Sequence, residues 1–172
     1  MFLDYLKNFV IKKIVNKSLS VNVVQTDVHK IENVGIVVDQ QFLSQVDNLI
    51  NRLIECGVLK QNIEIVVRTS QTNVDISENY TRFAASTISA TGSFLDPKMQ
   101  KFVDTDFDLL INYYDHEKPV LMLVSSLSKA NFKVGFASVD KRVNHLIIDA
   151  TAQEYSIFEK ELFKYLKILN AI

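Results

Sequence analysis

One stretch, Asp106–Ala137, restricts this chain more than any other: DFDLLINYYDHEKPVLMLVSSLSKANFKVGFA. It holds a short apolar run, a polar cluster, an apolar segment of helix length and a second short apolar run. That order is strand, loop, helix, strand, the crossover unit that joins neighbouring strands of a parallel sheet. Leu109–Ile111 forms the core of the first strand, and Asn112, Tyr113, Tyr114, Asp115 and His116 crowd its carboxyl end. Pro119 is tolerated in a first helical turn. Val120, Leu121, Leu123, Val124, Leu127 and Ala130 make the following helix apolar over most of its surface, so it is expected to be buried. Asn131 is positioned for a left-handed cap before Phe132–Phe136 returns as a strand.

An earlier segment repeats the arrangement. Val34–Val38 (VGIVV) is nearly all β-branched, as expected of a central parallel strand covered on both faces. Phe42, Leu43, Val46, Leu49, Ile50, Leu53 and Ile54 follow at helical spacing, Gly57 stands where a left-handed cap belongs, and Ile63–Val67 is the next strand. Farther on, Leu146–Ile148 is a last strand. Thr151 and Glu154 have the form of a capping box, with Thr151 accepting from the backbone and Glu154 reaching back. A C-terminal amphipathic helix through Tyr155, Phe158, Leu162, Leu166 and Leu169 completes the chain. Alternating strands and helices predict an α/β fold: a single Rossmann-like three-layer domain, with a mainly parallel sheet of about five strands and helices on both faces.

Two regions are less regular. Arg68–Thr105 is rich in Thr, Ser and Asn, with strand character only over Tyr80–Ile88 and a helical turn over Met99–Val103. At the N-terminus, Phe2, Leu3, Leu6, Phe9, Val10, Ile14 and Val15 are spaced as a helix, with Lys7, Lys12, Lys13 and Lys17 between them. Residues 1–17 therefore read as an amphipathic helix on the single α/β domain of residues 18–172, with Ser18–Lys30 connecting the two. The helix is expected to lie against the domain's own sheet; its alternative is peripheral contact with an anionic membrane through residues 2–17.

At 172 residues one domain is expected, and composition bounds its partners. A net charge of −1 gives no global attraction to nucleic acid, and Lys141-Arg142 is too short a basic run to supply a local one. One cysteine, Cys56, forms no disulfide framework and reads as a small buried apolar residue. With no apolar stretch of spanning length and charges interrupting the N-terminal apolar residues, a cytoplasmic location is expected.

Four glycines, at 35, 57, 92 and 135, are too far apart for a P-loop, a G-x-G-x-x-G turn or a G-x-S-x-G elbow. Gly35 and Gly135 lie inside strands, where close packing of a helix or backbone is the expected cause. Open α/β sheets bind ligands at the carboxyl ends of their strands. The residues predicted there are Asp39, Arg68, Thr69, Asn112, Tyr113, Asp115, His116, Ser138, Asp140 and Asp149. Ligand-binding candidates among them are Asp39, Asn112, Tyr113, Asp115, His116 and Ser138.

Each candidate has a plainer reading. Flanked by Asp115 and Glu117, His116 suits a base with a raised pKa; the plainer reading has these acids capping the next helix. Tyr113-Tyr114 can stack on a base or sugar, whereas such a pair more often divides between core and rim. His29, His116 and His145 lack ligand spacing, so no metal is expected, and no cofactor is predicted.

The run FDLLINYYDHEKPVLMLVSSLSKANFKVGFA, with VDKRVNHLIIDA after it and IENVGIVVD before it, resembles a domain-of-unknown-function family of short proteins from Bacteroidota. The likeness covers nearly the whole chain and implies a cytoplasmic α/β protein without an assigned activity. DLLINYYD and SKANFKVGF, with the helix between them, also resemble the N-terminal half of heptosyltransferase-like glycosyltransferases. That likeness covers about a fifth of the chain and implies a glycosyltransferase-like fold. The glycine-containing first loop of those enzymes is replaced by Asp39-Gln40-Gln41. The expected function is a non-catalytic binding or interaction module serving a protein partner or small ligand. The alternative is a small enzyme, or a ligand-binding relic of one, using the strand-end cluster around Asn112–His116.

Overall fold

A computed structural model describes residues 2–21, 29–70 and 79–172, with side chains over Lys7–Ser20 in the first helix. In chain order the elements are α1 (Phe2–Val21), β1 (Val34–Asp39), α2 (Leu43–Glu55), β2 (Ile63–Arg68), β3 (Thr81–Phe83) and α3 (Pro97–Asp104). They continue with β4 (Leu109–Tyr113), α4 (Pro119–Leu127), β5 (Phe132–Phe136), β6 (Leu146–Ile148) and α5 (Tyr155–Ile168). Among the described residues the sheet has six strands, all parallel, in the order β3-β2-β1-β4-β5-β6. This is the 3-2-1-4-5-6 order of doubly wound, Rossmann-type sheets, and its direction of growth reverses between β1 and β4.

Side-chain alternation divides the core into two layers. Val34, Ile36 and Val38 of β1, with Leu109, Ile111 and Tyr113 of β4, pack with α2 and α5. Val37, Val66, Phe83 and Leu110 pack on the opposite face with α1, α3 and α4. The central strands are apolar in nearly every position because both faces are covered. Beyond the five strands that periodicity marks clearly, the sixth is β3, three residues at the sheet edge within the Tyr80–Ile88 stretch. The predicted turn at Met99–Val103 is the middle of α3, with Asp96 accepting from the Lys98 N–H at its start.

Several local expectations change. Asn131 is not in the left-handed region; α4 ends earlier, at Leu127, and the Lys129 N–H turns to the Val103 carbonyl. Gly57 does adopt φ 98°, with its N–H on Ile54 and that of Val58 on Leu53, the paired bonds of a Schellman cap. Glu154 accepts from the Thr151 N–H, but the Thr151 hydroxyl also donates to Glu154, so this half-formed box closes a turn ahead of α5.

The first helix extends past Ser18 to Val21, so the predicted connector begins later; residues 22–28 lie outside the described residues. Its buried stripe is Ile11, Val15 and Leu19, one turn apart, while Phe9 is exposed. It packs chiefly on α4, not directly on the sheet, and the Ser18 hydroxyl donates to the Ser126 carbonyl at 2.8 Å. Burial of α4 on both its sheet side and its α1 side explains why that helix is apolar almost all round.

Candidate functional site

The carboxyl ends of β1 and β4 meet at the reversal point, where sheets of this type bind ligands. Asp39 ends β1 and caps the helical turn Gln40–Phe42 that stands where dinucleotide-binding folds place glycines. Its side chain is only 4% exposed and lies between two cations. Lys118 Nζ is 2.5 Å from Asp39 Oδ2, and a guanidinium nitrogen of Arg68 is 3.5 Å from the same oxygen. The three groups come from the end of β1, the end of β2 and the loop before α4, so this cluster ties two strand ends to that loop. Sequence reasoning named Asp39 and Arg68 but missed Lys118. Its position immediately before the N1 proline Pro119 holds it in extended backbone at φ −90°, facing the β1 end.

A second cluster follows β4. Asp115 is buried and His116 is exposed, with His116 Nδ1 2.5 Å from Asp115 Oδ1. The other carboxylate oxygen of Asp115 accepts the Ala152 N–H at 2.9 Å, and the Asp115 carbonyl accepts the Ser138 hydroxyl at 2.8 Å. Asp115 therefore joins the β4, β5 and β6 loops. It does not cap α4, as the plainer reading supposed: the cap position is Lys118, which makes no side-chain cap. The chain bends at His116, whose carbonyl accepts the Lys118 N–H, and this turns Asp115 toward the β6 side. Among the described residues no group of three or more His, Cys, Asp or Glu gathers as metal ligands would.

Tyr113 and Asn112 belong to the interior. Tyr113 is fully buried among Phe42, Phe136 and Phe158, all edge-on to it at 5.2–6.3 Å, and its hydroxyl donates to the Ala152 carbonyl at 2.9 Å. Tyr114 is buried as well, on the opposite face, so neither ring forms a rim. Burial pushes the Tyr113 and Tyr114 phenols far above their ordinary range. We expect Tyr113→Phe to lose about 1 kcal/mol in urea denaturation, the value of one hydrogen bond. Tyr113→Ala should lose about 3–5 kcal/mol by leaving a ring-sized cavity. Equal losses would show that the ring is not core.

Asn112 sits in a polar chain beneath α4 that sequence reasoning did not anticipate. Asn112 Nδ2 donates to Asn144 Oδ1 at 2.7 Å, and the Ser125 hydroxyl donates to Asn112 Oδ1 at 2.7 Å. Because Ser125 spends its single proton there, the Tyr114 hydroxyl, 2.7 Å away, must donate to Ser125. All four side chains are buried. Beside them the Lys133 ammonium, also buried, donates to the Ser125 carbonyl at 2.9 Å and the Ser128 carbonyl at 2.7 Å. These carbonyls lie in and just beyond the last turn of α4, where helical donors run out. Burial lowers the Lys133 pKa to about 8, and burial, with Lys133 beside it, lowers that of His145. A lysine inside the apolar strand FKVGF, covered on both faces, was the available signal for this buried cation.

The glycines mark two more close contacts. A Cβ on Gly35 would stand 2.8 Å from the Phe107 ring, and one on Gly135 would stand 2.4 Å from Asn144 Nδ2. Side chains fill both spaces, in place of the helix or backbone expected. Gly135 pairs with Asn112 in register, so its bare backbone lets the Asn144 amide cross β5 to reach β4.

Comparison with known proteins places this fold and site in a family. A model described as a family of unknown function, DUF6913, matches residues 7–169. The chain belongs to DUF6913. No curated protein and no solved structure matches it. For a DUF6913 member, then, the matched region runs from within α1 through the end of α5 and takes in both polar clusters. Among the described residues no helix is long and apolar enough to cross a membrane.

Proposed function

We propose that this chain is a non-catalytic, cytoplasmic α/β interaction module built on a Rossmann-type sheet. The observation that carries the reading is the Asp39–Lys118–Arg68 cluster, because it places a buried carboxylate and its counter-ions where a ligand's phosphates would otherwise approach. Asp39 occupies the start of the first turn, and an incoming phosphate would have to displace it against like charge. The ions satisfy one another and pin two strand ends to the loop before α4, which is the work of a scaffold.

Thermal shift tests this directly with nucleotides, nucleotide-sugars and phosphosugars. A ligand at a hundred times its Kd would stabilise the fold by about 2.7 kcal/mol. For a chain of this size that raises Tm by at least about 5 °C. We expect no compound in the series to reach that shift.

A second reading rests on the Asp115–His116 pair. The imidazole is held through Nδ1 by a buried carboxylate while its side chain stays 71% exposed, the arrangement of an oriented general base. A compound that stabilises the wild type and loses its effect in His116→Ala would establish that reading and sink the module.

A further inference from the structure

We infer that the Asp39 carboxylate plugs a phosphate site. It stands where the phosphate of a monoester ligand would sit between Lys118 and Arg68. This rests on the module reading and adds how the crevice is kept closed. Three donors converge on the carboxylate. Lys118 Nζ and a guanidinium nitrogen of Arg68 reach Oδ2 at 2.5 and 3.5 Å, and the Gln41 N–H donates to Oδ1 at 3.4 Å. Asp39 and Arg68 are register partners at the ends of β1 and β2, and Lys118 joins them from the loop before α4. The Asp39 side chain is 4% exposed, whereas those of Lys118 and Arg68 are 33% and 26% exposed. Solvent therefore reaches the cations but not the anion between them.

Charge selects the occupant. Lys118 and Arg68 bring two positive charges to one carboxylate, and among the described residues neither pairs with a second acid. Asp115, the other buried carboxylate of this edge, is turned to the Ala152 N–H and to His116. One carboxylate thus leaves a positive charge uncompensated, which a phosphate group, carrying about −1.5 to −2 at pH 7, removes. Because both nitrogens reach the same oxygen, one phosphate can bridge them through two of its own oxygens.

Position points the same way. The first strand-to-helix turn at the reversal point is where doubly wound sheets receive phosphates, and glycines there let the phosphate approach the backbone. Here Asp39-Gln40-Gln41 fills that turn, and the Asp39 side chain supplies the anion from within the fold. Shortening Asp39 frees the space and leaves three donors without their acceptor.

The test removes the plug from the full chain. Inorganic phosphate is titrated against the wild type, Asp39→Ala and Asp39→Asn, with chloride at matched ionic strength as the reference and melting followed by circular dichroism. Toward saturation, phosphate should raise the Tm of Asp39→Ala by about 3 °C or more beyond the change seen in the wild type, which reports the general salt effect. Asp39→Asn keeps the shape of the side chain without its charge and should gain a smaller shift. Adding Lys118→Met to Asp39→Ala should abolish the gain. Acetate, a single negative charge like the plug itself, should stabilise Asp39→Ala less than phosphate does. If Asp39→Ala is unfolded in chloride, recovery of its helical signal in phosphate is the supporting result and no recovery the opposing one. Shifts in both variants no larger than in the wild type, a gain that survives Lys118→Met, or an equal effect of acetate would each overturn the inference and leave the module reading standing. Phosphate that stabilises the wild type as strongly as Asp39→Ala would instead overturn both.

Discussion

Gly135→Ala is expected to destabilise the protein by about 2–6 kcal/mol in urea denaturation. Gly135 does not have a positive φ, so its strand backbone suits alanine; the cost is one of space. The added methyl would stand 2.4 Å from Asn144 Nδ2 and 2.9 Å from Oδ1. Asn144 would have to leave, removing the acceptor of Asn112 Nδ2 and exposing a buried amide to no partner. Overpacking costs about 1–3 kcal/mol and an unsatisfied buried donor about 1–3 kcal/mol more. The attribution can be isolated with a double-mutant cycle. In an Asn144→Ala background the obstacle is gone, so the same glycine substitution should cost less by about 0.5–3 kcal/mol. Additive losses would mean that Gly135 and Asn144 do not share one space.

Lys133 carries the second large expectation. Lys133→Ala should cost about 2–4 kcal/mol at pH 7, because it empties the stem's volume and strips donors from the Ser125 and Ser128 carbonyls. Lys133→Met keeps most of that volume and should cost less. The pH dependence has a definite sign. Burial lowers the folded pKa of Lys133 from 10.5 to about 8, so between those values the unfolded chain holds the extra proton. Stability contributed by this group therefore rises with pH above about 8, at no more than about 1.4 kcal/mol per unit. Below that the cost of burying the ammonium is fully present, offset by its two carbonyl partners. His145, whose pKa burial and Lys133 lower from 6.5, acts in the same sense at lower pH. Unfolding free energies measured from pH 7.5 to 9.5 should rise in the wild type relative to Lys133→Met. Parallel curves would show that Lys133 does not titrate in this window.

Both expectations turn on residues whose partners are not legible in the chain: Gly135 reads as a close-packing position, but Asn144 and Lys133 do not stand out, and the reason is general. Val34–Val38, the apolar stripe of α2 and the 106–137 unit are legible because they report a local property, the burial of alternating or 3.6-spaced side chains. Lys133 and Asn144 matter through partners reached across the sheet, and no spacing along the chain records those distances. The strand-end residues show the same division. Their location at the carboxyl edge follows from strand direction, so Asp39, Asp115 and His116 are where they were expected. Which of them meet does not follow. Asp39 is 79 residues from the lysine that neutralises it, and Asp115 is 37 from the amide that holds it.

By itself, then, the sequence determined the layered parallel architecture and the polar edge at Asn112–Glu117, because hydrophobic period and strand polarity are written along the chain. Only the tertiary structure decided what that edge does: Asn112 and Tyr113 turn inward, Asp39 is closed by Lys118 and Arg68, and the buried Asp115 holds His116 at the surface. Side chains of one strand alternate between opposite faces, and each face meets a different set of distant partners. A cluster contiguous in sequence is thereby divided among two core layers and the sheet edge.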